Sequence, residues 1–298
     1  MKIGFGAPVS GAWATPSNVA RFAESAQELG YSSLWTFHRL LVPAEHGLDA
    51  VYRSVLDPTV VMSFMAARTS TIRLGVALIN FPFVSPTYVA KQFSTLDLLS
   101  NGRIDLGLGA GWLEEEFVAS GVSSARRGAR TVEYLQVLRT LWADEVSGFD
   151  GEFYTVPSSR MDPKPVQKPG PPVLLGGVVP AALRRAGRMA DGWMSRSATN
   201  LDEISAQIAI VRSAAAEAGK DPGAVRVVVR GVVRPGERVG RLSGSYSQIR
   251  ADAEWLGEQG VTELFYDLNW DQRIGNPDVS AESATETAQE LLEALKPS

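Results

Sequence analysis

The chain has no cysteine and only two histidines among its 298 residues. The absence of cysteine excludes disulfide bonds, thiolate zinc sites, cysteine-ligated iron–sulfur clusters and a cysteine nucleophile. It is typical of a protein of the reducing cytoplasm, and we expect a cytoplasmic location. Because His38 and His46 are the only imidazoles and lie in different contexts, we expect no metal site.

The sequence also lacks a long unbroken apolar run and a strong excess of charge of one sign. The uncharged stretch 74–90 contains two prolines, an asparagine and a serine, which makes a transmembrane helix unfavourable. The uncharged stretch 3–20 is rich in Gly, Pro, Ser and Thr, so we interpret its start as a strand and not as a signal peptide. Twenty-nine basic against 33 acidic residues give a net charge of −4. We therefore expect neither a nucleic acid nor a membrane as partner.

What the sequence does contain is an alternation of short apolar runs with longer amphipathic segments. Predicted strands span 3–8, 33–37, 72–79, 103–108, 173–175, 192–194, 225–233 and 263–268. Predicted helices span 16–29, 57–69, 86–99, 129–142, 180–189, 201–218, 246–259 and 280–295. Apolar strands that alternate with helices indicate a parallel sheet covered on both faces. The length alone would allow two domains, but eight such units favour a single α/β domain over 1–298, a (β/α)8 TIM barrel.

One segment departs from this alternation. Residues 143–172, between units four and five, hold six prolines and several glycines, which restrict the backbone to turns and extended paths. We interpret this segment as an insertion, with a small surface hairpin over 149–156.

In a barrel of this kind the functional residues lie at the carboxyl ends of the strands. The glycines at 107, 109 and 111 end strand four and remove side chains where a flat ring could lie against backbone; tight strand–helix packing is the alternative. Gly176 and Gly177 precede a helix, where the free N–H groups of residues 177–179 and the helix dipole would favour a phosphate. A plain turn is the alternative there.

The two histidines differ in position. His38 follows strand two directly, where an imidazole could donate a hydrogen bond or a proton near neutral pH; it is our candidate catalytic residue, with a purely structural role as the alternative. His46 lies in a loop with Pro and Gly nearby, and we interpret it as a surface group.

Aromatic side chains crowd the predicted strand ends, which favours a flat redox ring and a fairly apolar small-molecule substrate. The pocket candidates are Trp13, Phe37, Phe81, Trp112 and Trp193. The run 114–116 of three glutamates is expected to open a helix, where the dipole favours negative charge. Two arginine clusters, at 126–130 and 184–188, are interpreted as solvated or salt-bridged helix faces, with contact to an anionic cofactor tail as the alternative.

Several motifs in their order and spacing resemble the luciferase-like monooxygenase superfamily, and within it the deazaflavin-dependent oxidoreductases typical of actinobacteria. They lie at 90–103, 107–117, 128–133, 163–169 and 176–193. The resemblance implies a TIM barrel of the bacterial-luciferase type. It implies coenzyme F420 as cofactor, with FMN as the alternative.

The resemblance also implies which residues bind the cofactor. They are Ala77, Leu78 and Asn80 on strand three, Gly109 and Gly111 after strand four, and Gly176, Gly177 and Val178 after strand five. In the family a non-proline cis peptide in strand three supports the ring, and the matching bond here is Ala77–Leu78.

Two positions depart from the family pattern. The family often has Asp-His-Leu where this chain has Phe37-His38-Arg39, so the acidic neighbour of the histidine is lost. The sequence therefore favours a role for His38 as hydrogen-bond donor to the cofactor over a role as proton donor. Trp112 replaces an acidic residue of some relatives, which disfavours a sugar-phosphate dehydrogenase.

These features together predict an enzyme that transfers a hydride between coenzyme F420 and a small, fairly apolar organic substrate. A separate reductase would reduce the cofactor, and the superfamily often forms homodimers. Two alternatives stay open: an FMN-dependent monooxygenase supplied by its own flavin reductase, and a cofactor-binding protein with little catalysis.

Overall fold

The computed structural model of the protein describes residues 1–45 and 47–297. His46 therefore lies outside the described residues, and its predicted surface position stays a prediction. Within the described part of the chain, every helix is too short or too polar to cross a membrane.

Eight parallel strands close into a barrel, as predicted. The strands of the chain are β1 (Lys2–Gly6), β2 (Ser33–Thr36), β3 (Arg73–Asn80), β4 (Ile104–Gly109), β5 (Ser147–Asp150), β6 (Thr155–Ser159), β7 (Val173–Gly176), β8 (Gly192–Met194), β9 (Arg226–Val232), β10 (Arg234–Pro235), β11 (Ser243–Gly244) and β12 (Glu263–Asp267). Around the barrel their order is β1-β12-β9-β8-β7-β4-β3-β2, and β2 pairs with β1 to close the ring. The two very short predicted strands, now β7 and β8, are both part of it.

The helices follow the strands as the amphipathic segments predicted. They are α1 (Pro16–Glu28), α2 (Pro58–Arg68), α3 (Pro86–Leu99), α4 (Glu114–Ala119), α5 (Arg127–Ala143), α6 (Pro180–Met189), α7 (Ile204–Glu217), α8 (Tyr246–Glu258) and α9 (Ala281–Ala294). The short α4 begins at the three glutamates, as expected for negative charge at a helix start.

The first three helices begin in the same way. Thr15, Asp57 and Ser85 each accept a hydrogen bond from a first-turn N–H, and each is followed by a proline. A polar cap satisfies a free donor, and proline at this place sacrifices no helical hydrogen bond. These local signals explain why the helix starts could be predicted within a residue.

The segment 143–172 leaves the barrel wall between α5 and β7. Its β5 and β6 pair antiparallel, with Phe149 opposite Val156, which confirms the predicted hairpin. A second small pair, β10 with β11, lies in the loop that follows β9; no pattern in the sequence pointed to it.

The inside of the barrel is built in layers. At the amino-terminal end of the strands, Arg226 donates to Asp105 at 2.6 Å and to Glu263 at 2.9 Å. Above this cluster lies an apolar layer in which the rings of Trp35 and Phe265 stack with centroids 5.5 Å apart. Burial alone would raise the pKa of Asp105, but Arg73 and Arg226 hold it below its ordinary value. The ion-pair cluster and the apolar layer thus close the amino-terminal end of the barrel. Access to the barrel is from the carboxyl end of the strands.

Candidate active site

Strand β3 carries an irregularity at the carboxyl end of the barrel. Its register against β4 shifts between Val76 and Ile79, and the Ala77–Leu78 peptide bond is cis, as the resemblance implied. Ala77 belongs to the apolar layer inside the barrel, and Leu78 packs against that layer and also lines a cavity at the strand ends. The irregularity therefore lies where the barrel interior meets the candidate site.

The cavity has a volume of about 500 Å³ and lies at the carboxyl ends of β3, β4 and β7. This is within the usual range for small-molecule sites. Most of the predicted site residues line it: Leu78, Asn80, Phe81, Gly109, Gly111, Trp112, Gly176, Gly177 and Val178. The cavity thus joins three segments that are far apart in the sequence.

The glycines of this region allow close packing of protein atoms, and the predicted space for a flat ring stays a prediction. A Cβ atom on Gly107 would lie 2.2 Å from the carbonyl oxygen of Val76, so this glycine is required for close strand packing. A Cβ on Gly176 would lie 2.2 Å from Leu78 Cδ1, and one on Gly109 would lie 3.1 Å from the same atom. These two glycines leave room for the Leu78 side chain in the cavity wall.

A hydrogen bond from Trp193 holds the loop between β7 and α6 in place. Trp193 donates its indole N–H to the carbonyl oxygen of Gly177 at 2.9 Å, and Gly177 has φ of 148°. The chain at 176–178 then enters the amino-terminal end of α6, where free N–H groups and the helix dipole favour an anion. The sequence predicted phosphate binding at this loop, and that role stays a prediction.

Two arginines add positive charge to the cavity. Arg185 on α6 and Arg196 after β8 both line it. Burial lowers the pKa of Arg185, and no acidic group offsets this effect. Its neighbours Arg184 and Arg188 are exposed, as predicted for the cluster. Arg185 is half-buried and lines the cavity, where the alternative of contact with a cofactor tail stays a prediction.

In the first arginine cluster, Arg127 differs from the expectation and Arg126 agrees with it. Arg127 donates to the carbonyl oxygen of Gly111 at 2.6 Å, so it holds the loop after β4. Arg126 instead pairs with Glu152 at the surface, which agrees with the predicted solvated face.

His38 does not line this cavity. It lies in a neighbouring cleft of about 290 Å³ with Asp57, Tyr88 and Gln92, and its Nδ1 accepts a hydrogen bond from the N–H of Asn80 at 3.2 Å. Burial lowers the pKa of His38, while the nearby Asp57 partly opposes this effect. Asn80 therefore lies between His38 and the cavity. A catalytic role for His38 stays a prediction.

Three of the aromatic pocket candidates also lie elsewhere. Trp13 has no exposed surface and donates to Asn269 Oδ1 at 3.2 Å. Trp193 supports the 176–178 loop from behind, and Phe37 packs against Trp270 with centroids 5.2 Å apart. None of the three lines the cavity described above. The prediction failed here because a strand end presents residues to two sides, and aromatic character alone does not distinguish them.

Sequence reasoning missed a buried ion pair beside the cavity. Arg39 donates to Glu116 at 2.6 Å, and both side chains are buried. The Arg39 guanidinium also packs against two rings of the cavity wall, 4.6 Å from the centroid of Tyr52 and 4.8 Å from that of Trp112. The unusual arginine after His38 was the signal, but its partner is 77 residues away.

Comparison with known proteins places the chain in a family. Residues 3–275 match the family model described as luciferase-like monooxygenase. An uncharacterized protein of Mycobacterium tuberculosis is 32% identical over 294 residues, which are 94% of each chain. An FMNH2-dependent dimethylsulfone monooxygenase of Pseudomonas putida is 30% identical over 202 residues, 67% of this chain and 53% of that protein. An F420-dependent glucose-6-phosphate dehydrogenase of Amycolatopsis mediterranei is 29% identical over 191 residues, 63% and 55% respectively.

Solved structures agree on the fold. The monooxygenase RslO1 from Streptomyces bottropensis superimposes with a TM-score of 0.81 and 23% identity, covering 99% of this chain and 98% of that one. An F420-dependent secondary alcohol dehydrogenase gives a TM-score of 0.78 with 19% identity, covering 99% of both chains. The chain therefore belongs to the luciferase-like monooxygenase family and has the TIM-barrel fold of that family.

Proposed function

We propose that the protein transfers a hydride between coenzyme F420 and a small, fairly apolar organic substrate. The observation that carries this proposal is the single cavity that joins the Leu78 irregularity, the glycines after β4 and the loop at 176–178. Relatives with F420 and with FMNH2 in their names support a cofactor of the flavin or deazaflavin type.

The residues present fit such a cofactor. The free N–H groups at the start of α6 and the cavity-lining guanidinium of Arg185 suit a phosphate. A flat ring is suited by the glycine backbone around Leu78, where side chains on Gly109 or Gly176 would intrude. When bound, the deazaflavin supplies a ring carbon that carries a hydride and that reacts poorly with oxygen.

The remaining walls of the cavity would receive the substrate. Tyr52, Phe81 and Trp112 give it a largely aromatic surface, which excludes water and favours an apolar body. Asn80 contributes a polar side chain to the same wall, and its own N–H is held by His38. We assign His38 the role of a positioning residue for Asn80.

The alternative cofactor is FMN, and the dimethylsulfone monooxygenase relative is the observation that favours it. A protein of this second kind would consume oxygen when supplied with reduced FMN. A separate reductase would deliver the reduced cofactor in both cases.

The experiment that tests the proposal compares the two cofactors in turnover. The purified protein is mixed with reduced F420 and a panel of ketones and aldehydes without oxygen, and the return of oxidised deazaflavin absorbance is followed. A parallel reaction with reduced FMN is followed in an oxygen electrode. We expect F420 oxidation that depends on both protein and substrate; oxygen consumption with FMN alone, coupled to substrate oxidation, would contradict the proposal.

A further inference from the structure

Arg230 crosses the upper end of the barrel. It lies on β9, and in the barrel order β9 and β3 stand opposite each other. Its Nη1 nevertheless reaches the carbonyl oxygen of Ala77 on β3 at 3.2 Å. The guanidinium therefore covers the apolar layer on its carboxyl-terminal side. This is the end of the barrel where family members carry out their chemistry.

The orientation of this guanidinium is fixed by a carboxylate. Arg230 Nε donates to Asp267 Oδ2 at 2.6 Å. The other oxygen of Asp267 accepts from the backbone and side-chain N–H groups of Asn269, at 3.0 and 2.9 Å. Asp267 is thus bonded on both oxygens and holds the plane of Arg230 in one position.

Two neighbouring aromatic rings pack against the guanidinium. Its carbon lies 4.5 Å from the ring centroid of Phe37 and 4.1 Å from that of Trp270. Trp270 in turn contacts Tyr52, with centroids 5.7 Å apart, and Tyr52 lines the candidate active site. Arg230 therefore lies beside this cavity, because it also bonds Ala77, which directly precedes the cavity-lining Leu78.

Arg230 retains donors that the protein does not use. A guanidinium has five N–H donors, and the bonds to Asp267 and Ala77 occupy two of them. Among the described residues, Nη2 has no hydrogen-bond partner, and it is the part of this 9% exposed side chain that solvent can reach. An oxygen atom of a ligand that enters at the strand ends can therefore accept a hydrogen bond from this edge of the guanidinium.

We propose that Arg230 anchors an oxygen of the substrate, and that the substrate class is a flat apolar molecule bearing a carbonyl or carboxylate group. The fork of donors on one guanidinium edge matches such oxygens, and Phe37, Trp270 and Tyr52 supply flat apolar contact area beside it. The inference rests on the proposed function only in that it describes the substrate of the same site. Asp267 acts in it as the positioning residue.

The test uses benzoate as a probe that combines both features. Benzoate is titrated into the full-length protein, and binding is followed by tryptophan fluorescence and calorimetry. We expect Arg230→Met to weaken benzoate binding at least tenfold, and Arg230→Lys to weaken it also, because an ammonium group lacks the planar fork. The matched control is Arg273→Met, which removes an exposed arginine paired with Asp271 at 2.6 Å and should leave the affinity unchanged.

Removing Arg230 leaves the Asp267 charge buried and could prevent folding. The double variant Arg230→Met with Asp267→Asn removes both charges, so it leaves no unpaired buried charge. Its benzoate affinity is measured if the single variant does not fold. Circular dichroism of each variant confirms the fold before titration.

The affinity for F420, measured on the same variants, separates this inference from the proposed function. Wild-type protein that binds benzoate but neither F420 nor FMN would contradict the proposed function and support the anchor. Benzoate that fails to bind wild type, or binds it and Arg230→Met equally, overturns the anchor. An Arg230→Met variant that loses F420 affinity but keeps its benzoate affinity also overturns it, because the donors would then serve the cofactor.

Discussion

The guanidinium of Arg39 and the carboxylate of Glu116 meet at 2.6 Å, with both side chains almost fully enclosed. Glu116 also accepts the backbone N–H of Leu40 at 2.7 Å, so the pair connects the end of β2 to the short helix α4. The Arg39 guanidinium packs against the rings of Tyr52 and Trp112. The departure from the family pattern at Arg39 is therefore compensated inside this chain.

Replacing one member of this pair should be costly. We expect Arg39→Met to lower the free energy of unfolding by about 3–5 kcal/mol, since it leaves the Glu116 charge buried without its partner. Urea denaturation followed by circular dichroism measures this. The control is Arg53→Met, which breaks an exposed pair with Asp278 and should have little effect. Equal losses for both variants would show that the buried pair has no special role.

His38 should make stability depend on pH. Its pKa is lowered in the folded protein, so the unfolded chain binds more protons below pH about 6.5. The contribution of His38 is therefore fully present above this pH and is lost as the pH falls towards the lowered pKa. Each unit by which the pKa is lowered corresponds to about 1.4 kcal/mol.

The measurement is urea unfolding of wild type and His38→Gln at several pH values between 5.5 and 7.5. Glutamine can still accept the Asn80 N–H but does not titrate. We expect wild type to lose more stability than the variant as the pH falls. Parallel pH profiles would mean that His38 does not titrate differently in the two states.

The fit between Gly176 and Leu78 can be tested by a pair of substitutions. A Cβ on Gly176 would meet the end of the Leu78 side chain, so Gly176→Ala should displace Leu78 into the cavity and weaken cofactor binding several-fold. Adding Leu78→Ala removes the obstructing group and should restore part of the affinity. The comparison is made by cofactor fluorescence, and a double variant no better than Gly176→Ala would contradict this account of the cavity wall.

The fold could be predicted from sequence because its signals are local. Caps such as Thr15 and Asp57 and the alternation of apolar runs each depend on a few neighbouring residues. The location of the cavity followed from the same source, since Leu78, Gly109 and Gly176 all lie at strand ends. The rule for parallel barrels then brings such positions together.

The parts that were missed depend on contacts between distant residues. Arg39 and Glu116 are 77 positions apart, and Arg230 reaches Ala77 over 153 positions. A pattern of neighbouring residues in the sequence does not indicate which distant residues will pair. The direction in which His38 points was also not available, because a residue just beyond a strand can face the barrel mouth or the surrounding helices.

The most direct test of the proposed function is a parallel titration of the purified protein with F420 and FMN, read by cofactor fluorescence. We expect F420 to bind in the micromolar range or tighter and FMN to bind more weakly. Arg185→Met should lower the F420 affinity about tenfold, because it removes a cavity-lining cation, whereas the exposed neighbour Arg184→Met should not. Binding of neither cofactor, or tighter binding of FMN than of F420, would contradict the account.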